Sequence, residues 1–353
     1  MITKNIFLLV ASIIKLFIII ILLTVNSKAD KNNFKQYSGD EGVLSIMYHR
    51  FNENKYPSTN IRMDVFLKQI QLIKDLNYDF IHPDIFKKEF NIPKKNKKIL
   101  LTIDDAFKSF YDVAWPYLKK NKIPFILFVS TEPVGNNGYM TWDQIREIDK
   151  EDFTIIGHHS HSHEYLIEKS NQDFIDDIEK ASSIFNEKIN YVPELFSYPF
   201  GEYSEFMKNF ISKNFTLAFG QHSGVIDINK DKFELPRFPI NEDYGELTRF
   251  KNIMKTYPLE YKNLRPIEKK LNKQKNPPIF TVAFFDNQKH IKNLACYSNE
   301  GNKWEKSDIE IKGNTLSINF REAFSPRRGR VNCSLNDNGK WRWFGTQFIV
   351  SKN

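Results

Sequence analysis

The chain has 353 residues, of which 41% are hydrophobic and 14% aromatic, so it has enough apolar material for one large domain and a small one. This composition excludes an intrinsically disordered chain. The formal net charge of +8 is uneven, because residues 275–353 hold 13 basic and 7 acidic residues. We therefore expect the C-terminal part to face an acidic surface or polymer. We expect no nucleic-acid partner, since the chain begins with the features of an export segment.

Residues 1–29 resemble a signal peptide or an N-terminal membrane anchor. Lys4 supplies a positive charge, residues 6–25 are mostly apolar, and Ser27 and Ala29 are the small residues expected before a cleavage site. The apolar stretch is also nearly long enough to stay attached as a membrane tether. Both alternatives predict an exported protein that is periplasmic, extracellular or anchored facing outward.

Strand-like and helix-like segments alternate with short connections between residues 30 and 274, which predicts an α/β barrel. The predicted strands are 43–48, 78–81, 98–103, 124–130, 153–157, 195–198 and 216–220. The predicted helices are 64–76 with Asp64 as its N-cap, 106–120, 141–148 with Thr141 as its cap, 172–188 and 202–213.

The strand around residues 98–103 ends in two adjacent carboxylates, Asp104 and Asp105. Its near-continuous apolar run is typical of a strand that is covered on both faces. Successive side chains on a strand point to opposite sides, so the two carboxylates cannot do the same work. One could bind a metal while the other abstracts a proton. The plainer alternative is that one of them caps the following helix.

Four of the eight histidines lie in residues 158–163. His159 and His163 are four residues apart, which on a helical turn brings both imidazoles to one side to share a divalent ion. His158 and His161 lie in the same cluster, so spacing alone leaves the ligand register open. Together with one carboxylate, two histidines would leave coordination positions open for water and substrate, as in a catalytic site.

From about residue 275 the pattern changes to short strand-like runs separated by Gly, Asn and Asp turns. We predict a small all-β, sandwich-like accessory domain over residues 275–353. Cys296 and Cys333 both lie in it, and in an exported protein they can pair as a disulfide. Two buried free thiols are the alternative. The predicted strands are 279–285, 294–297, 309–311, 316–320, 331–335 and 347–350.

Three segments taken together resemble the polysaccharide deacetylases of the NodB-homology type, carbohydrate esterase family 4. They are Thr-Ile-Asp-Asp at 102–105, His-Ser-His-Ser-His at 159–163 and Tyr-Pro-Phe-Gly at 198–201. The resemblance covers about residues 43–245. The strand end at Met47-Tyr48-His49 is similar to that of a subgroup of biofilm poly-N-acetylglucosamine deacetylases.

The resemblance implies a distorted (β/α) TIM-like barrel over residues 30–274. It also implies a metal-dependent hydrolase that removes N-acetyl groups from an N-acetylglucosamine-containing glycan. Asp104 would be the general base. The metal, most often Zn²⁺ and otherwise Co²⁺ or Ni²⁺, would be held by Asp105, His159 and His163.

The resemblance further assigns roles to the third motif. The backbone N–H of Phe200 would help to hold the oxyanion, while Tyr198 and Pro199 would belong to the substrate-binding wall. His49, at the end of the first strand, could also line the pocket.

The chain departs from the family pattern in two places. An arginine that normally precedes the third motif and orients the base is absent, and we predict that Arg237 replaces it. No Leu-x-His motif follows to supply a general acid, and His222 is the best-placed candidate. A catalytically impaired carbohydrate-binding barrel and a metal-dependent O-acetyl esterase therefore stay open as alternatives. No protein partner is predicted.

The C-terminal part also offers aromatic and basic side chains that could contact sugar rings or an anionic polymer. The alternative is that they only pack against the barrel. These residues are Trp304, Trp341, Trp343, Arg327, Arg328 and Arg330.

Overall fold

The computed structural model describes residues 42–92, 96–227, 229–286 and 288–351. The predicted export segment, residues 1–29, and the possible tether within it, residues 6–25, lie outside the described residues. Among the described helices, none is long and apolar enough to cross a membrane. The described residues belong to one compact unit.

Residues 42–254 form the α/β part of the chain. Its strands are β1 (Gly42–Tyr48), β2 (Arg50–Phe51), β3 (Asn60–Ile61), β4 (Asp79–Phe80), β5 (Lys98–Asp104), β6 (Phe125–Val129), β7 (Thr154–His158), β8 (Leu195–Ser197), β9 (Leu217–Phe219), β10 (Ile226–Asp227) and β11 (Phe238–Pro239). Its α-helices are α1 (Met63–Asp75), α2 (Pro83–Lys88), α3 (Trp115–Asn121), α4 (Trp142–Asp149), α5 (Asn171–Ile189), α6 (Glu205–Asn214) and α7 (Leu247–Met254).

The main sheet is a curled half-barrel. Strands β1, β5, β6, β7, β8 and β9 lie side by side in that order and run parallel, which confirms the predicted α/β class. The segment 232–240 bridges its two edges. On one side the Gly220 N–H donates to the Leu235 carbonyl at 2.9 Å, and on the other the Ile240 N–H donates to the Met47 carbonyl at 2.9 Å.

The apolar pattern of the sequence explains why the sheet is covered on both faces. Every residue of β6 is buried, and so is all of β5 except Lys98. Helix α5 packs an apolar stripe that includes Phe174, Ile178 and Phe185 towards the sheet, and Ser170 begins the helix with a capping box. Thr141 caps α4 in the same way, as predicted.

Two sequence predictions about helix starts are wrong. Helix α1 begins at Met63 rather than after an Asp64 cap, because the Asn52 side chain accepts from the Met63 N–H at 2.7 Å. The helix expected from Ala106 does not begin there, because Ala106 has a left-handed backbone with φ 53°. A π-helical turn over Phe110–Ala114 leads instead into α3.

Residues 256–351, called here the C-terminal β region, form two further sheets. The strands are β12 (Thr256–Pro258), β13 (Asn263–Arg265), β14 (Lys270–Leu271), β15 (Phe280–Ala283), β16 (Ala295–Ser298), β17 (Glu305–Lys306), β18 (Asp308–Lys312), β19 (Thr315–Asn319), β20 (Arg327–Asp337) and β21 (Lys340–Val350). One sheet has the order β12-β21-β20-β16-β17 with β14 beside β21, and the other has the order β13-β15-β19-β18.

A disulfide joins the first of these sheets across two neighbouring strands. Cys296 on β16 lies directly opposite Cys333 on β20, and the two are bonded, as predicted. Both cysteines are fully buried in the core between the sheets. That core therefore combines apolar packing with a covalent link.

The C-terminal β region also packs against the α/β part. Trp343 contacts the main core, and Ile349 lies in one apolar cluster with Phe196 and Tyr198. Strands β12 and β13 contribute to the C-terminal sheets although they precede residue 275. A separate accessory domain with its boundary at that residue therefore stays a prediction.

Candidate active site

Polar side chains meet at the carboxyl edge of the main sheet. Asp104 ends β5, His158 ends β7 and Ser197 ends β8, and these strands are parallel neighbours through β6. The residues that follow each strand therefore lie at one edge of the sheet. In α/β barrels this edge carries the active site.

Asp105, His159 and His163 converge there. The Asp105 Oδ1 lies 3.3 Å from the His159 Nε2 and 3.1 Å from the His163 Nε2. One ligand atom from each residue falls within 4.8 Å of the others. The structure thus brings together the three predicted metal ligands.

The donor set fits a divalent ion. The His159 Nδ1 lies 2.6 Å from the Ser197 carbonyl and donates to it, so the proton sits on Nδ1 and the Nε2 lone pair is free for a ligand bond. The buried Asp105 Oδ1 and His159 Nε2 have no hydrogen-bond partner among the described residues. Buried polar atoms without partners are costly unless something else binds them. An Asp/His/His set is a common catalytic zinc arrangement.

Left-handed backbone conformations cluster around these three residues. Asp105 has φ 74°, Ser160 has φ 67°, His163 has φ 52° and Phe200 has φ 58°. Such residues cost on the order of 1–3 kcal/mol each and persist only where the surrounding structure holds them. The loops after β5, β7 and β8 are therefore fixed in conformations that aim these side chains at one point.

Asp104 is held by Arg237. The Arg237 Nη1 donates to the Asp104 Oδ1 at 2.7 Å and the Nη2 donates to the Oδ2 at 2.8 Å, and both side chains are fully buried. The same guanidinium donates to the Ser197 Oγ at 2.8 Å and, through Nε, to the Gly220 carbonyl at 2.9 Å. Arg237, the predicted replacement for the missing arginine, thus contacts both oxygens of the predicted base.

These charges set the protonation of the site. Burial would raise the pKa of Asp104, but attraction to Arg237 and His159 outweighs it and leaves that pKa below its usual value. Burial would also raise the pKa of Asp105, but the neighbouring His163 and His159 outweigh it and leave that pKa well below the usual range. Both carboxylates are therefore ionised at neutral pH.

The other histidines of the cluster have structural contacts. His161 Nδ1 lies 2.8 Å from the Thr131 hydroxyl, and burial lowers the pKa of His158 to about 3. The structure therefore places His159 and His163, and not His158 or His161, beside Asp105. His82, outside the cluster, caps α2 by accepting from the Asp84 N–H.

A cleft of about 530 Å³ opens onto this site, and His49, His222 and Phe200 line it together with Asp105 and His163. Burial lowers the pKa of His222 to about 4 and also lowers the pKa of His49, so both imidazoles are neutral at pH 7.

Tyr198 and Pro199 are not part of the cleft lining. Both are buried, and the Tyr198 hydroxyl donates to the Phe233 carbonyl at 3.1 Å. The structure therefore places these two predicted substrate-binding residues in the protein interior, where Tyr198 packs in an apolar cluster.

Two functional candidates were missed from the sequence. Ser197 supplies both the carbonyl that fixes His159 and a hydroxyl near Asp104, yet a serine at a strand end has no distinctive signal. Arg249 lines the cleft from α7, and only its position in three dimensions reveals this.

Comparisons with known proteins agree with this geometry. Residues 91–215 match the family model described as polysaccharide deacetylase. Two curated relatives, from Staphylococcus epidermidis and Staphylococcus aureus, are named poly-beta-1,6-N-acetyl-D-glucosamine N-deacetylase. The first is 23% identical over 63% of this chain and 87% of its own length. The second is 22% identical over 66% of this chain and 93% of its own length.

Solved structures share the fold. The Streptococcus pyogenes deacetylase PplD has a TM-score of 0.55 and 22% identity, covering 61% of this chain and 99% of its own. IcaB from Ammonifex degensii has a TM-score of 0.53 and 22% identity, covering 61% and 97%. The matched residues 91–215, which hold the converging aspartates and histidines, are thus similar to the polysaccharide deacetylase family.

Proposed function

We propose that this protein is an exported, metal-dependent polysaccharide N-deacetylase that acts on an N-acetylglucosamine-containing glycan. The observation that carries the proposal is the convergence of Asp105, His159 and His163 beside an Asp104 held by Arg237. The relatives named poly-beta-1,6-N-acetyl-D-glucosamine N-deacetylase support the substrate class. The composition of residues 1–29 supports export.

Asp105, His159 and His163 would hold the divalent ion, with zinc the first choice for this ligand set. When bound, such an ion supplies Lewis-acid chemistry, polarising the acetamide carbonyl and acidifying water. Asp104 would accept a proton from the attacking water. Arg237 keeps the Asp104 carboxylate ionised and fixes its orientation, because two parallel hydrogen bonds hold both oxygens.

The developing oxyanion needs a fixed donor, and we assign the Phe200 backbone N–H to that role. The departing amine needs a proton. His222 and His49 both line the cleft and are the two candidates for this general acid. Their neutral form would first have to take up the proton that Asp104 removes from water.

The contact between Arg237 and Asp104 argues against the catalytically impaired binding barrel. That alternative was motivated by an absent arginine and an absent Leu-x-His motif, and the guanidinium is supplied from another segment. An O-acetyl esterase would use the same water and oxyanion chemistry, so a matched O-acetylated substrate must be included in the test.

The test is acetate release by the zinc-loaded protein and its Asp104→Asn variant from oligomers of β-1,6-linked N-acetylglucosamine. We expect the variant to lose at least about 100-fold in kcat, because a neutral amide cannot accept the proton. Zinc affinity, measured by titration, should change little. Equal release by both proteins would exclude Asp104 as the base. Release only from O-acetylated sugars would establish the esterase instead.

A further inference from the structure

The cleft extends from the metal ligands to the C-terminal β region. Arg328, Arg330 and Asn332 alternate along β20 and all line it, since alternate residues of a strand share a face. Gly329 and Val331, between them, face the buried core. Strand β20 therefore forms one wall of the cleft. From the sequence alone, its arginines were noted only as basic side chains.

A third arginine faces the same space. Arg249 lies on α7, its guanidinium donates to the Tyr244 carbonyl, and it also lies 5.2 Å from the centre of the Tyr244 ring. Tyr244 is 46% exposed and lines the cleft as well. Two different parts of the chain thus direct positive charge at one cavity.

Among the described residues, two of these three arginines have no carboxylate partner. Within the described part of the chain, Arg249 and Arg330 take part in no ion pair. Arg328 donates to Glu202 at 3.0 Å, but that carboxylate is shared with Arg327. Among the described lining residues, the one carboxylate is Asp105, which faces the metal-ligating histidines.

Half-buried guanidinium groups without a carboxylate partner are costly to place in a cleft, and they become favourable when an anionic ligand supplies the partner. Both arginines stay charged at neutral pH, although burial and the neighbouring Arg328 lower the pKa of Arg330 to about 10. Trp304, which is 45% exposed, adds an aromatic face to the same cleft for stacking on a sugar ring.

We propose that Arg249, Arg328 and Arg330, with Trp304 as a stacking face, form a subsite for an acidic unit of the glycan. The substrate would then be an N-acetylated polysaccharide that carries carboxylate or phosphate groups near the acetamide that is cleaved. This inference rests on the proposed deacetylase function. It adds that the C-terminal β region selects the substrate.

The experiment compares three forms of one β-1,6-linked N-acetylglucosamine pentamer, namely unmodified, O-succinylated and O-phosphorylated. The zinc-loaded full-length protein should show a KM at least about tenfold lower for an acidic pentamer than for the neutral one. A preference for the succinylated form identifies a carboxylate subsite, and a preference for the phosphorylated form identifies a phosphate subsite. Equal or weaker use of both acidic pentamers would overturn the proposal.

Arginine variants test the assignment. Arg330→Gln and Arg249→Gln should each raise KM for an acidic pentamer by about fivefold or more beyond any rise for the neutral pentamer. Arg265→Gln is the matched control, because Arg265 is exposed on β13 and does not line the cleft. An equal rise in the control, or an equal rise in KM for neutral and acidic pentamers, would contradict a dedicated subsite.

Binding separates this proposal from the proposed function. Calorimetric titration of the three pentamers into the Asp104→Asn protein, with and without Arg330→Gln, needs no turnover. Tighter binding of an acidic pentamer that depends on Arg330 would support the subsite even if no acetate were released from any substrate. Acetate release without that difference in affinity would support the deacetylase function and contradict the acidic subsite.

Discussion

At the scale of single residues, the site depends on a buried pair of opposite charges. Asp104 and Arg237 are both fully buried, and they come from segments 133 residues apart in the chain. Removing one member of such a pair leaves a charge in a medium that solvates it poorly. Arg237 is therefore as important for keeping Asp104 inside the protein as for aiming it.

We predict that Arg237→Gln lowers the free energy of unfolding by about 3–5 kcal/mol. The double variant Asp104→Asn/Arg237→Gln should regain at least about 1 kcal/mol, because the orphaned carboxylate is gone. Urea unfolding of the two single variants and the double variant measures this cycle, with Arg265→Gln as the control expected to stay within about 0.5 kcal/mol. Strict additivity of the two single losses would argue against the pairing.

His222 gives the fold a pH dependence. Burial lowers its pKa from 6.5 to about 4, so below pH 6.5 the unfolded chain binds a proton that the folded chain does not. Its contribution to stability is complete above pH 6.5 and is lost as the pH falls towards 4. Between pH 7.5 and 5.0 this amounts to about 2 kcal/mol.

The prediction is that His222→Gln, which cannot titrate, loses about 2 kcal/mol less than the wild type over this pH interval. Urea unfolding at pH 7.5 and 5.0 checks it. Identical losses in both proteins would mean that His222 is accessible to protons in the folded state.

Some of these residues could be predicted from the sequence and others could not, because only some belong to local sequence patterns. Adjacent aspartates and histidines four apart are local patterns, so Asp104, Asp105, His159 and His163 could be named in advance. Arg237 could be predicted only because the arginine that normally precedes the third motif is absent. Ser197 was not found, since its part depends on the Arg237 segment reaching it from 40 residues away.

At the scale of elements, β20 is tied to the loop that carries Phe200. Glu202, which is buried directly after the third motif, accepts from Arg328 at 3.0 Å and also pairs with Arg327. The Arg327 guanidinium in turn lies over the ring of Tyr165, which contacts Phe200 at 4.3 Å between ring centres. The C-terminal β region thus supports the proposed oxyanion donor.

Glu202→Gln should weaken this support, because an amide cannot balance two guanidinium charges. We expect a loss of about 2–4 kcal/mol in unfolding free energy and a fall of about tenfold or more in kcat, with zinc affinity unchanged. Glu305→Gln is the control, since its pair with Arg321 is exposed and should contribute less than about 1 kcal/mol. Normal kcat in Glu202→Gln would show that the loop holds its shape without β20.

Predictions from local sequence patterns are least accurate at the ends of helices and strands. Periodicity placed α5 to within one residue at each end, because its apolar stripe and its cap agree. The helix predicted after Asp105 begins later than expected, since the left-handed backbone at Asp105 and Ala106 directs Asp105 towards His159 and His163 and interrupts the helix. Strands β20 and β21 are longer than predicted. Half-buried arginine and tryptophan residues lie on one face, so the sequence does not show a clear alternation of polar and apolar residues.

At the scale of the whole molecule, the two parts of the chain share apolar surfaces and a cleft. Trp343 packs against the main core and Ile349 completes a cluster of the α/β part. Removing the C-terminal strands would expose these surfaces to water.

We predict that a chain ending at residue 274 is aggregated or partly unfolded. Size-exclusion chromatography and the cooperativity of thermal unfolding test this, with the full-length protein beside it. A monomeric, cooperatively folding truncation would instead establish the independent accessory domain that the sequence suggested. If that truncation also released acetate normally, β20 would have no role in the reaction.

The residues of the site are spread widely along the chain, which determines when the site can assemble during synthesis. The proposed base lies at residue 104, the arginine that holds it at 237, and the arginines that hold the Phe200 loop at 327 and 328. A growing chain that has not yet reached residue 327 therefore lacks part of the proposed catalytic centre. Assembly of the proposed centre must therefore wait until β20 has been made and has docked.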